Sequence, residues 1–138
     1  MERKITVWWV YPGRTPVKWG TRSKYLNKKI TRDGLPWDSI REYERWRSLK
    51  LLEKAGMITE LRRQVSFPLK VGEVAICRYV ADFTYLRDGE VVVEDVKPDF
   101  TKMSPRAMKA FKNTGAWRIY RIKWKLMKAI HGIEIKEV

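Results

Sequence analysis

Between Val80 and Pro98 the chain reads VADFTYLRDGEVVVEDVKP. Two runs rich in β-branched and aromatic residues flank Asp88-Gly89, a dipeptide that tolerates the positive φ of a two-residue hairpin turn. That turn predicts a register. Arg87 faces Glu90, and the pairs continue outward as Leu86 with Val91, Tyr85 with Val92, Thr84 with Val93 and Phe83 with Glu94. The next pair is Asp82 with Asp95. Directly opposed residues project from one face and side chains alternate along a strand. Asp82, Asp95 and Lys97 are therefore expected on one face, which Thr84, Leu86, Val91 and Val93 continue toward the turn.

Opposed aspartates have Cβ atoms about 4.5–5.5 Å apart and, at an effective dielectric near 20, repel by on the order of 3 kcal/mol. Either a proton shared between the carboxylates or a cation between them relieves that cost. Hard oxygen ligands with no His or Cys nearby suit Mg²⁺ or Mn²⁺. A structural reading stands beside this one: Asp95 and Lys97 as an ion pair, with Asp82 a solvated strand end. A one-residue bulge would turn Asp95 to the other face and make Glu94 the candidate.

The rest of the chain places this hairpin in a mixed α/β (α+β) fold. Residues 4–11 (KITVWWVY) predict a strand, and 12–26 a basic loop. NKKITRDGLPWDS predicts a small hairpin turning at Asp33-Gly34. DSIREYERWRSLKLLEKAG is the clearest helix, capped by Asp38 or Ser39 and closed by Gly56. Strands are expected over 61–69, 76–87 and 90–97. A helical pattern broken near Asn113–Gly115 follows from Ser104 to His131, then a short strand over 133–138. The order βββ-α-βββ-αα-β predicts a mixed sheet flanked by helices. With 138 residues, the whole chain reads as one domain, residues 1–21 being an N-terminal extension that could lie at a dimer interface.

Composition narrows the partners. Thirty Lys and Arg against sixteen Asp and Glu give a net charge of +14, which favours a polyanion, most commonly nucleic acid. The single cysteine, Cys77, rules out an internal disulfide and suits a reducing compartment. No apolar run reaches membrane-spanning length and no signal-peptide core opens the chain, so a cytoplasmic protein with no membrane partner is expected. No glycine-rich phosphate loop ending in Lys-Ser/Thr is present, so no nucleotide cofactor is expected. His131 is the only histidine, and with Cys77 it makes no ordinary zinc site.

A third acid joins the two aspartates. Glu42 stands three residues after Ser39, the spacing of a capping box, yet it also aligns with Trp46 and Leu49 on one helix face. An acid there points toward the body of the protein. Asp82…Asp95-Val-Lys97, on a hairpin after a helix bearing Glu42, resembles the PD-(D/E)xK nuclease superfamily. The segments DGLPWDSIREYERWRSLKLLEKAG, FPL, YVADFTY, VVVEDVKP and GIEIKEV look like a family of small phage and bacterial endonucleases that includes phage Holliday junction resolvases. The resemblance covers about residues 22–138, with a longer TKMSPRAMKAFKNTGAW connection and Ala81 where the motif name has proline.

That resemblance implies a restriction-endonuclease-like core and a Mg²⁺-dependent phosphodiesterase in which Mn²⁺ substitutes. Asp82 and Asp95, with Glu42 completing the site, would hold the metal. Lys97 would orient or activate the attacking water. The substrate would be branched or duplex DNA, most specifically a four-way junction. Two symmetric cuts need two sites, hence a homodimer, in a bacterial or phage-infected cytoplasm. Two alternatives keep the fold: a non-catalytic basic DNA-binding protein, and a restriction- or recombination-type nuclease acting on other duplexes.

The last helical segment offers a DNA surface. Arg118, Arg121, Lys125 and Lys128 form a basic stripe, which could follow a phosphate backbone or simply face solvent. Ile119, Ile122, Leu126 and Ala129 form an aliphatic stripe. Lys123 falls between that arc and Tyr120 and Met127, where it snorkels or meets a substrate phosphate. The seven tryptophans read mainly as core or interface residues, with Trp8 and Trp9 on opposite sides of their strand.

Overall fold

The computed structural model of the protein describes residues 29–138. The expected strand at 4–11 with Trp8 and Trp9, the basic loop at 12–26 and the 1–21 extension lie outside the described residues. What is described is a mixed α+β fold: a short hairpin, three α-helices and a four-stranded sheet. β1 (Ile30–Arg32) and β2 (Leu35–Trp37) form the hairpin. Asp33 and Gly34 between them have φ of 53° and 72°, left-handed at both central positions as a tight hairpin turn requires.

Helix α1 (Ile40–Lys54) starts where Ser39 Oγ accepts the Glu42 N–H at 3.1 Å. The sheet then forms from β3 (Thr59–Val71), β4 (Val74–Arg87) and β5 (Glu90–Asp95), each antiparallel to its neighbour. β6 (Lys136–Glu137) adds parallel to β5, giving the order β3-β4-β5-β6. Between β5 and β6 run α2 (Pro105–Lys112) and α3 (Gly115–Leu126), which continues as a π-helical turn to His131. The break between α2 and α3 falls at Asn113 and Thr114, as expected from Asn113–Gly115. No helix among the described residues is long and apolar enough to cross a membrane.

The helices cover the sheet from two sides. α1 lays Leu49 and Trp46 on Phe83, Tyr85 and Val92, with the Trp46 and Phe83 rings stacked 5.9 Å apart. α3 lays Trp117, Tyr120 and Trp124, with Met127 after it, over Leu69, Tyr79, Ala81 and Val93. β5 is thus buried on both faces, and successive residues serve different cores: Val93 the α3 side, Val92 and Glu94 the α1 side. The face that α3 presents to the sheet is the aromatic one. Of the aliphatic stripe, Ile119 and Ile122 are 52% and 58% exposed.

Glu94 is fully buried, yet it is not the functional acid that a bulge would have made it. The Arg45 guanidinium grips it bidentately, Nε at 2.8 Å and Nη2 at 2.6 Å, and the Tyr85 hydroxyl donates to it at 2.6 Å. Those bonds, led by Arg45, outweigh burial and hold its carboxyl below the usual range. Glu94 therefore locks α1 to the centre of the sheet. Removing one partner of a buried pair strands the other charge. Arg45→Ala is expected to lower unfolding free energy by about 3 kcal/mol in urea titrations at neutral pH. A loss of less than about 1 kcal/mol, the range of surface pairs, would show that Glu94 is held by something else.

Candidate active site

The β4–β5 ladder has the register that the turn predicts, from Arg87↔Glu90 to Phe83↔Glu94. Asp88 and Gly89 are left-handed, with φ of 52° and 79°. The ladder stops one pair short of Asp82 and Asp95. Past that point β5 turns away, and the Asp82 carboxylate takes over as acceptor: Val96 N–H donates to its Oδ2 at 2.8 Å. Asp82 thereby ties the outgoing chain to β4.

The face alternation of β4 also breaks at Asp82. Tyr79 and Ala81 pack in the α3 core, whereas Phe83 and Tyr85 pack in the α1 core. Perfect alternation would send all four the same way. Across the ladder, Val65 pairs with Ala81 and Arg63 with Phe83, but Gln64 and Asp82 are skipped. Gln64 has φ of 51°, a left-handed conformation that non-glycine residues seldom adopt and that costs on the order of 1 kcal/mol. The strain turns the Gln64 amide toward the acids, donating to Glu42 Oε1 at 3.3 Å and Asp82 Oδ1 at 3.5 Å.

Glu42 performs the capping role and the inward one together. Its Oε2 accepts the Asp38 N–H at 3.0 Å, and it is 2% exposed. Burial raises its carboxyl, partly offset by that backbone bond; Arg63, 3.8 Å from its Oε1, lowers it a little. Arg63 itself lies over the Trp37 ring at 3.5 Å. Asp82 is pushed up to about 8, first by burial and then by the Asp95 charge. Opposed carboxylates at this point, relieved by a shared proton or by a cation, were the expectation from sequence.

Asp95 and Lys97 are held by the chain's last residues. Val138 N–H donates to the Asp95 carbonyl at 3.1 Å, Lys97 N–H donates to the Val138 carbonyl at 2.8 Å, and Arg41 Nε donates to the Lys97 carbonyl at 3.1 Å. From this anchored backbone Lys97 Nζ reaches Asp95 Oδ2 at 2.8 Å and lies 3.6 Å from the centre of the Tyr120 ring. The Asp95–Lys97 ion pair is thus real. It leaves Asp82 without a cation of its own among the described residues, and Asp82, tied to Val96 N–H, is no solvated strand end.

Glu42, Asp82, Asp95 and Lys97 therefore share one neighbourhood, with Gln64 between the first two. Among the described residues no three acidic, His or Cys side chains converge as a ready-made metal cage. The close pair is Asp82 and Asp95, and Glu42 connects through Gln64. A donor set of one or two carboxylates, open to water and phosphate oxygens, suits Mg²⁺ better than ions that need a complete protein cage. On that chemistry the residues fit the ion.

The remaining candidates sort by position. Arg118 and Lys125 are exposed on α3. Arg121 pairs with Glu137 at 3.5 Å and Lys128 with Glu134 at 3.7 Å, so half of the basic stripe meets acids of the C-terminal segment. Lys123 lines a groove that opens beside Asp95 and Lys97. His131 Nε2–H donates to the Pro68 carbonyl at 2.8 Å, and Cys77 packs on the α3 core, both structural. Gln64 and Arg63 had no signal in the sequence: an amide and one arginine among many become site residues only through a left-handed backbone and an indole.

A family model described as a protein of unknown function (DUF1064) matches residues 22–131, and the chain belongs to that family. No curated protein and no solved structure matches it.

The raised Asp82 carboxyl has a stability consequence. Between the ordinary Asp range and about 8, the folded state keeps a proton that the unfolded state has released. The contribution of this group to stability therefore falls as pH rises through that window. In EDTA, wild type should lose stability relative to Asp82→Asn between about pH 5 and about pH 9. Thermal unfolding of both at the two pH values measures it; parallel pH profiles would mean that Asp82 carries no burdened charge.

Proposed function

We propose that this protein is a Mg²⁺-dependent DNA endonuclease of the PD-(D/E)xK type, selective for branched structure, with four-way junctions as its most specific substrate. The observation that carries the reading is the Asp82–Asp95 pair, two converging carboxylates with Lys97 beside them. In a chain of net charge +14, acids gathered this closely need a reason, and a divalent cation supplies one.

Asp82 and Asp95 would hold the ion, with Glu42 completing the acidic set. The ion would supply Lewis acidity toward a phosphate oxygen and acidify water. The chain's own groups do the rest. Lys97, fixed through its backbone to Val138 and Arg41, keeps its ammonium where negative charge grows on the phosphate. Gln64 keeps Glu42 and Asp82 from separating. Exposed Arg118 and Lys125 give a backbone-reading surface that ignores base identity. A homodimer would bring two such sites to the two strands that a symmetric resolution must cut.

The test is cleavage of labelled four-way junction, flap and linear duplex with Mg²⁺, Mn²⁺ or EDTA. Asp82→Asn and Asp95→Asn should each lower the single-turnover rate by about 10³-fold or more, and Lys97→Ala by about 10²–10³-fold. Wild-type rates in Asp82→Asn would remove the catalytic assignment. Salt-sensitive DNA binding without cleavage under any metal would leave the basic DNA-binding alternative.

A further inference from the structure

Beside Asp95 and Lys97, on the α3 side of the sheet, lies a groove of about 310 Å³. That volume is at the small end of ligand pockets. Its character changes from end to end. Asp95 and Lys97 stand at one side; Ile119, 52% exposed, and Ala116 make an apolar wall; Lys123 adds a second cation, with no ion pair among the described residues. In the floor lies Tyr79, 3% exposed, beside Asp95.

We propose that this groove seats a single unstacked nucleotide next to the scissile phosphate. Ile119 and Ala116 take the face of its base, and Lys123 takes a flanking phosphate. The inference rests on the nuclease reading and adds the element that selects structure over sequence. A paired base within duplex hides both faces against its neighbours and offers no apolar surface to such a wall. A base out of the stack does. Taking a base from intact duplex costs a few kcal/mol, and that cost is smallest where the nucleotide is already unpaired, as at a branch or bulge. Charge complementarity favours this occupant over a second copy of the chain. The groove sets Lys97 and Lys123 around a small apolar strip, whereas a stable protein seam buries about 800 Å² per partner around an uncharged centre.

Two duplexes, identical except for one unpaired 2-aminopurine nucleotide beside the cut site, test the idea. Single-turnover cleavage in Mg²⁺ gives the preference, and 2-aminopurine fluorescence in EDTA gives occupancy independent of cutting. Wild type is expected to cut the bulged substrate roughly tenfold faster or more, and to change the probe's emission on binding. In Ile119→Ser the ratio should fall to about one and the emission change should vanish. Ile122→Ser, equally exposed but outside the groove, should keep both. A preference and emission change that survive in Ile119→Ser overturn the proposal. So does a weakened dimer in Ile119→Ser with the preference intact, which would make the wall a seam between copies. If wild type cuts nothing under any metal yet the emission still responds through Ile119, the nuclease reading falls and the nucleotide seat stands. Cleavage without any emission response sinks the seat alone.

Discussion

The register of the β4–β5 hairpin is the constraint from which the rest follows. Its left-handed Asp88-Gly89 turn sets which residues face each other, and a slip by one would move every side chain to the opposite face. The buried Arg45–Glu94–Tyr85 cluster guards against that slip from the far side of the sheet. In the native register Glu94 enters the α1 core and meets its guanidinium; shifted by one, it would leave the Arg45 guanidinium and the Tyr85 hydroxyl for the side of the α3 core. The cost of an unpaired buried carboxylate makes the alternative register prohibitive. Two neighbouring acids, Glu94 and Asp95, thus acquire opposite roles from one geometric fact. One is neutralised and structural; the other is turned to the α3 side, where it lines the groove.

The site is assembled where regular structure fails. β4 changes faces at Asp82, β5 leaves the ladder after Glu94, and Gln64 takes a conformation that its side chain disfavours. Each irregularity frees a polar group from backbone duty and points it inward. A regular sheet would have paired Asp82 by backbone alone; here its carboxylate must also satisfy Val96 N–H. The left-handed residue opposite supplies the amide that bridges to Glu42. Strain and electrostatic cost coincide at Gln64 and Asp82, whereas the register shifts at Thr59/Arg62 and Leu69/Lys70 break the same ladder elsewhere.

Local chemistry made most of the architecture legible. The two Asp-Gly turns, the Ser39 cap and the interruption near Asn113–Gly115 each involve residues whose backbone preferences act within a few positions. The Asp82–Asp95–Lys97 constellation was equally local, because a hairpin converts sequence spacing into proximity. What stayed hidden depended on distant partners. The face change of β4 arises from two different helices covering the two ends of one strand. The choice of the aromatic over the aliphatic stripe of α3 could not be read from periodicity, since both stripes repeat at helical spacing. Trp117, Tyr120 and Trp124 win the core by the area they bury there, which leaves Ile119 and Ile122 outside.

The final strand connects these threads. β6 is only two residues long, yet its register beside β5 and the Val138 bonds fix Asp95 and Lys97 from behind. The same segment carries Glu134 and Glu137, which engage Lys128 and Arg121 and, through Glu137, the Tyr120 hydroxyl under Lys97. Acids of the C-terminal segment thereby draw Arg121 and Lys128 into structural pairs, while Lys123 is left facing the groove. The distribution of positive charge around the acids is therefore set by where the chain's end docks, more than by the abundance of Lys and Arg. A chain this basic would attract polyanions almost anywhere on its surface. Pairing Arg121 and Lys128 with acids while Lys97 and Lys123 stand beside Asp95 shifts part of that attraction toward the carboxylate pair.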